Sequence, residues 1–198
     1  PMLPRPILAV LSIFLAGAMP AAAQEADWPC IQRLVPEIAP GVAWPGPPLP
    51  AAQAPWATDG DVAALAAKIA DRGTPAAVIE QEVTKLAGRF GGDVRRQKLG
   101  LLFTGALEIL NGDRQRVIAD ILRFARGQRQ LAERVATTTK ELETTTDATK
   151  IAELRTQRDW DLRVFDDRHK TLSLVCEQPV LLEQHAFTLG RIIAAETP

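Results

Sequence analysis

The chain has no tyrosine and only two histidines, two cysteines and two methionines in 198 residues. Both methionines, Met2 and Met19, lie before residue 24. The rest of the chain therefore offers neither a Met-rich copper site nor a Met-lined promiscuous groove. His169 and His185 fall on different helices by pattern, and neither sits in a Cys/His cluster. No C-x-x-C, C-x-x-C-H, H-E-x-x-H, G-x-S-x-G, phosphate-binding glycine loop or dinucleotide fingerprint occurs. The expectation is a non-enzyme with no catalytic residue, no metal site and no cofactor. Neither sign of charge is in excess: 23 Lys and Arg face 24 Asp and Glu, a formal net charge of -1. A general nucleic-acid binder draws its affinity from surplus cations, so no nucleic-acid partner is expected. No convincing alternation of apolar and polar residues appears, so β-structure should be minor.

Long apolar runs are also missing, with one short exception. Ile7 to Ala18 is apolar over about 12 residues, against the roughly 20 that span a bilayer. It follows Met2 and the single positive charge of Arg5. It is followed by Met19-Pro20 and the small residues Ala21-Ala22-Ala23, an A-x-A cleavage signal. Residues 1–23 therefore read as a secretory signal peptide, with the exported chain starting near Gln24. No cysteine at the cleavage site offers a lipid anchor. The expectation is a secreted, periplasmic protein of a Gram-negative bacterium with no stable membrane insertion once the leader is removed.

In an oxidising compartment the isolated pair Cys30 and Cys176 is most simply a disulfide. Closing so long a loop restricts the unfolded chain by an amount on the order of 4–5 kcal/mol. Reactive or metal-binding thiols are the rival reading, and no neighbouring motif supports it.

From Pro29 to Pro55 the chain carries eight of its fifteen prolines. Proline fixes φ and removes a backbone donor, so residues 24–57 should be extended, with turns at Ala39-Pro40-Gly41 and Pro45-Gly46-Pro47. Trp28, Ile31, Leu34, Val35, Ile38, Val42, Trp44 and Trp56 make this a strap laid into grooves of a helical body; a loose tail is the alternative.

Residues 58–198 read as a helical bundle. A capping box at Thr58 and Asp61 opens a first helix carrying Val62, Leu65, Ala66, Ile69 and Ala70. Thr74-Pro75 opens a second, with Val78, Ile79, Val83, Leu86 and Ala87 inward. Asp93 caps a third, roughly Val94 to Leu110, apolar almost all round from Leu99 and so central. Gly100 and Gly105 inside it call for a packing reason, with a ligand pocket as the minority alternative. Asn111-Gly112-Asp113 reads as a turn. Val117, Ile121, Phe124, Gln128, Leu131, Val135, Thr138 and Leu142 then recur at four and three, a heptad seam typical of a coiled coil. A reversal at Thr144-Thr145-Thr146-Asp147 leads into a return helix to Cys176, with Ile151, Leu154, Leu162, Phe165, Leu172 and Leu174 or Val175 on its core face. Residues 113–176 thus form a long helical hairpin. Pro179 separates it from a final helix, roughly Val180 to Ala195.

Three charged features invite functional readings. Asp159, Asp161, Asp166 and Asp167 stand among Arg158, Arg163 and Arg168. The interleaved arginines favour a solvated helix face over a cation site. Trp160, inside this cluster, reads first as a core anchor against the strap, with an exposed interface residue as the alternative. Arg114, Arg116, Arg123, Arg126, Arg129 and Arg134 line the other hairpin helix. Arg123, Arg126 and Arg129 are the candidate interaction face for an acidic partner or anionic lipid headgroups, against an internal salt-bridge seam to Glu153, Asp159, Asp161 and Asp166.

Asp27-Trp28-Pro29-Cys30, followed by Gln32-Arg33, Val35-Pro36 and Trp44-Pro45-Gly46-Pro47, resembles uncharacterised small exported helical proteins of Gram-negative bacteria that open with a D-W-P-C segment. The resemblance implies a compartment and no activity. The hairpin is also similar in outline to periplasmic coiled-coil chaperones and adaptors, an analogy of shape.

The combined expectation is an all-α bundle with a long antiparallel hairpin and an extended N-terminal strap. Its function would be that of a non-enzymatic periplasmic scaffold or adaptor with a protein partner. The alternatives are a small-ligand or metal-binding accessory protein with a pocket between strap and bundle, and a holdase-type chaperone.

Overall fold

The computed structural model describes residues 27–49 and 55–198. The expected signal peptide, the start at Gln24 and the strap residues 24–26 and 50–54 lie outside the described residues. The chain is all-α, with no strand among the described residues. In order come α1 (Pro40–Ala43), a 3-10 turn (Trp56–Thr58), α2 (Ala63–Ala70), α3 (Ala76–Ala87), α4 (Gly92–Thr144) and α5 (Ala148–Ala195).

Two expected breaks do not occur. The turn at Asn111-Gly112-Asp113 is absent, and α4 runs unbroken for 53 residues. A mid-helix glycine costs about 1 kcal/mol relative to alanine. Here Leu110 and Arg114, on either side of Gly112, are buried, and Asn111 spends its amide on the strap instead of on a local turn. The stop at Pro179 is absent as well: α5 runs 48 residues through it. Proline inside a helix costs about 3 kcal/mol or more. Tertiary contacts offset that cost, because Pro179 is buried and its carbonyl accepts from Arg114 Nη1 at 2.6 Å. The reversal between α4 and α5 falls where it was expected. Asp147 caps α5, its carboxylate accepting from the Lys150 amide at 2.7 Å.

Three other caps differ from expectation. Thr58 donates its hydroxyl to the Pro55 carbonyl, and the chain turns into α2 on Asp59, whose side chain accepts from the Asp61 amide. Thr74 donates to the Lys68 carbonyl, so α3 starts at Pro75 without a side-chain cap. Asp93 lies in the first turn of α4, where Gly91 is the N-cap.

The base of the molecule holds the main core. Ile38 and Ala43 of the strap, Val62, Ala66 and Ile69 of α2, and Ile79, Val83 and Leu86 of α3 pack around Leu99 to Leu110 of α4 and Leu182 to Ile193 of α5. Phe103 is among the largest fully buried side chains, and the Trp44 ring lies 4.8 Å from it. Beyond the base, α4 and α5 continue together as an antiparallel hairpin. Arg134 pairs with Asp161, Gln128 Nε2 donates to the Phe165 carbonyl, and Arg168 lies over Phe124 and against Gly127, which sets the register.

The α4 seam faces inward as its spacing predicts: Ile121, Leu131 and Thr138 are buried, and Val117, Phe124, Gln128, Val135 and Leu142 are half-buried. The α5 seam follows the expected one at Ile151, Leu154, Phe165, Leu172 and Val175, with Arg158, Asp161, Val164 and Arg168 also buried or half-buried. Leu162, expected inside, is 40% exposed, and of the alternatives Leu174 and Val175 it is Val175 that is half-buried, Leu174 being 62% exposed.

Candidate functional site

Two places carry side chains arranged beyond what helix packing alone requires: the face of the bundle that holds the strap, and the distal hairpin.

The strap is held largely through its main chain. Three residues on one face of α4, Asn111, Arg114 and Gln115, are spaced i, i+3 and i+4. Asn111 Oδ1 accepts from the Ile38 amide at 2.8 Å, and Asn111 Nδ2 donates to the Ile38 carbonyl at 3.1 Å. Arg114 Nε donates to the Val35 carbonyl at 2.7 Å. Gln115 Nε2 donates to the Glu37 carboxylate at 2.8 Å. Arg114 is 4% exposed, so its charge is desolvated, and Glu183 stands 3.8 Å away. Burial pulls the Arg114 guanidinium below its ordinary value, and Glu183 opposes that pull.

Further along, Gly190 meets the main chain of α1, and a Cβ there would overlap the Ala43 carbonyl oxygen. Trp44 donates its indole N–H to the Pro47 carbonyl, and Trp56 donates to Glu108 Oε2, both at 2.6 Å. A Cβ on Gly105 would lie 2.6 Å from the Trp56 ring, which is the packing reason for that glycine. At Gly105, then, the space beneath the strap is filled by indole. Not all of the strap is seated: Ile31, Val35 and Val42 are exposed, whereas Ile38 and Ala43 are buried.

Cys30 and Cys176 are bonded, with their Cα atoms 5.5 Å apart. Both line an open groove of about 440 Å³ with Pro29, Ile31, His169 and Lys170. His169 stacks on Phe165 at 6.3 Å. His185 Nε2 lies 2.7 Å from the Ile69 carbonyl oxygen and so ties α5 to α2. Both histidines thus lie on α5, and not on different helices as the pattern predicts, but in separate surroundings. Among the described residues no group of three His, Cys, Asp or Glu is placed to hold a metal ion.

At the base, Lys98 donates to both Asp59 oxygens at 2.9 and 2.8 Å and to Asp61 at 3.2 Å. Arg89 also pairs with Asp61, and both cations lie over the Phe90 ring. Hydrogen bonds from Arg89 and then Lys98 hold the Asp61 carboxyl below its ordinary value. The Asp59 carboxylate, against some desolvation, raises the Lys98 ammonium. This cluster closes the entry to α2 with its charges satisfied.

On the hairpin, the arginine flank separates into different fates. Arg114 is internal. Arg116 and Arg123 pair with Asp113 and Asp120 one turn earlier on the same helix. Arg129 reaches Asp27 of the strap at 3.0 Å. Arg134 reaches Asp161 at 2.8 Å. Arg126 is exposed. Of the expected salt-bridge seam to α5, one pair forms among the described residues, Arg134 with Asp161. The acidic cluster is not uniformly solvated: Asp161 is 6% exposed, with Oδ2 lacking a partner, while Asp159, Asp166 and Asp167 are exposed. Trp160 is not a core anchor; it is 62% exposed. Helical phase explains this. Asp161 occupies the seam position, which turns its neighbours Trp160 and Leu162 away from α4. The sequence marked Asp161 as one of several possible partners of the arginine flank and Asn111 only as a turn residue, and it did not mark Gly190, because their burial and contacts depend on residues distant in the chain.

No helix among the described residues is long and apolar enough to cross a membrane. Comparison with protein-family models, curated proteins and solved structures finds no match for this chain.

Proposed function

We propose that this chain is a non-enzymatic, exported interaction protein, a periplasmic scaffold or adaptor that uses its distal hairpin as the contact surface for a protein partner. The observation that carries this reading is the exposure of Trp160, Leu162 and Leu174 on a hairpin that the strap touches at Arg129 and at Cys176. In the part of α4 from residue 130 to its end, the side-chain ion pair that joins it to another element, Arg134 with Asp161, goes to α5. A Trp with a large exposed area is a costly surface residue unless it serves recognition, and Trp is enriched at the energetic centres of interfaces. Arg123, Arg126 and Arg129 would supply a polar rim on the opposite helix. The disulfide and the leader-like segment 1–23 support export.

The test is site-specific photo-crosslinking in cells, with the crosslinker at position 160 in one variant and at Glu80, on α3, in another. The expected result is a discrete protein adduct from position 160, lost when Leu174 is also changed to Asp, and none from position 80. Equal labelling from both positions, or none from 160, overturns the hairpin reading. Osmotic release of the protein, with an intact mass starting near Gln24, tests its address.

A further inference from the structure

The ties that hold the strap change in kind at Ile38. From Ile38 onward the strap is seated in the core: Ile38 and Ala43 are buried, Trp44 packs on Phe103, and Gly190 admits the Ala43 main chain. Before Ile38 the picture differs. No residue from Asp27 to Glu37 is buried, and Ile31 is fully exposed. The Trp28 indole turns back onto the Gln32 carbonyl of the strap itself. The noncovalent ties of this half to the helices are the Asp27–Arg129 ion pair, the Arg114 bond to Val35 and the Gln115 bond to Glu37. The Asp27–Arg129 and Gln115–Glu37 pairs are solvent-exposed and contribute little, which leaves one part-buried hydrogen bond, Arg114 to Val35, against the backbone entropy of ordering an extended segment. The remaining tie is covalent, Cys30 to Cys176. That bond lies in the wall of an open groove, with Cys30 the more exposed partner and Lys170 beside it.

We propose that the Cys30–Cys176 disulfide is a reducible clasp: a protein dithiol opens it in the folded state, residues 27–37 leave the hairpin, and residues 38–49 stay docked. The chemistry is thiol–disulfide exchange. A thiolate of the dithiol attacks Sγ of Cys30, the bond between the two Sγ atoms breaks, and Cys176 leaves as a thiolate that takes up a proton. The second thiol of the dithiol, deprotonated, then attacks its own partner sulfur in the mixed disulfide and releases Cys30. Two electrons pass from the dithiol, which becomes a disulfide, to this protein, which gains two thiols. The consequence is specific. Arg114 loses the Val35 carbonyl, and the enclosed space of about 200 Å³ between Trp28, Gln32, Arg33 and Val35 of the strap and Ile118, Val180 and Glu183 of the helices opens to solvent.

The test compares the oxidised full chain with the same chain reduced in native buffer, by dithiothreitol and by a thioredoxin-class protein. Hydrogen exchange is followed by mass spectrometry, and trypsin cleavage is followed after Arg33. The expected result is reduction without denaturant, at least tenfold faster cleavage at Arg33, and unchanged exchange at Ile38, whose N–H is held by Asn111, and in α1. A Cys30→Ser chain should behave as the reduced form does. Reduction that requires denaturant, cleavage at Arg33 that is no faster after reduction, or loosening that spreads through 38–49 overturns the clasp; each would make the disulfide a plain structural staple. If Cys30→Ser fails to fold, the reduced wild-type chain still decides among these outcomes.

Discussion

Asn111 forms a two-sided amide pair with Ile38, accepting from its N–H and donating to its C=O, across 73 positions of sequence. One side chain thereby replaces the strand that an extended segment would otherwise need as a partner. Asn111→Leu leaves both Ile38 groups without partners in a half-buried place. It should lower stability by about 2–3 kcal/mol, read as a shift of the urea midpoint.

The neighbouring glycine should behave in the opposite way. A Cβ on Gly112 meets nothing, and the position is an exposed mid-helix one. Gly112→Ala should raise stability by about 0.5–1 kcal/mol. A loss would show that the chain needs a turn there after all. Gly190→Ala is the contrasting case, because its Cβ would overlap the Ala43 carbonyl oxygen. The docked strap and α5 must then separate, and the thermal midpoint should fall by more than that of any other Gly→Ala change in α4 or α5.

The hairpin yields a matched pair of variants. Leu131 is 3% exposed and Leu162 is 40% exposed. Leu131→Asp buries a carboxylate without a partner and should lower the thermal midpoint by an amount equivalent to about 3 kcal/mol or more. Leu162→Asp should change it by less than about 0.5 kcal/mol. Equal effects would mean that the α5 seam is rotated from the one described.

Asp161 invites a substitution that stabilises. Its carboxylate sits in an apolar seam with Arg134 as its ion-pair partner. Replacing a buried ion by a well-packed apolar side chain is often neutral or favourable. Asp161→Leu should raise the denaturant midpoint, by about 1 kcal/mol in stability. Arg134→Ala should lower it, since the carboxylate stays buried alone. The two signs together test whether Asp161 faces inward.

The Asp59–Asp61–Lys98–Arg89 cluster sets a pH window. Asp61 is held below its ordinary 3.8. Its contribution is present above that value and is lost as pH falls through the lower folded value. Lys98 is held above its ordinary 10.5. Its contribution is present below that value and is lost as pH rises through the higher folded one. Stability from this cluster should therefore be level between the two and decline at both ends. Lys98→Met should abolish the alkaline decline and only shrink the acid one, because Arg89 remains on Asp61. Thermal scans of both proteins at pH 3, 7 and 11 check it, pH values placed on about the scale of the reference carboxyl and ammonium groups.

Much of the architecture is local in origin and was legible in the chain. The α4 stripe from Val117 to Leu142 announces its buried face by spacing alone, because a helix presents i, i+3 and i+4 together whatever surrounds it. The reversal at Thr145 to Asp147 is encoded by β-branched and capping residues. The cysteine pair was legible too, since only one pairing of two cysteines exists. What sequence could not disclose are the places where distant groups meet and override local preference. Asn111-Gly112-Asp113 has turn composition, yet Ile38 captures Asn111 and burial on both sides carries the helix through. Pro179 has the composition of a stop, yet Arg114 takes its carbonyl and the core holds it in line. Asp161 has the composition of a surface residue, yet the phase of α5 against α4 places it inside and turns Trp160 outward. Local propensities amount to a few tenths to a few kcal/mol per residue, and a single well-made tertiary contact is of the same size. The sequence by itself thus determined that helices form, where the hairpin reverses and which stripes are apolar, while the tertiary structure alone decided that α4 and α5 run through Gly112 and Pro179, that Asp161 rather than Leu162 lies in the seam, and which groups are left for a partner.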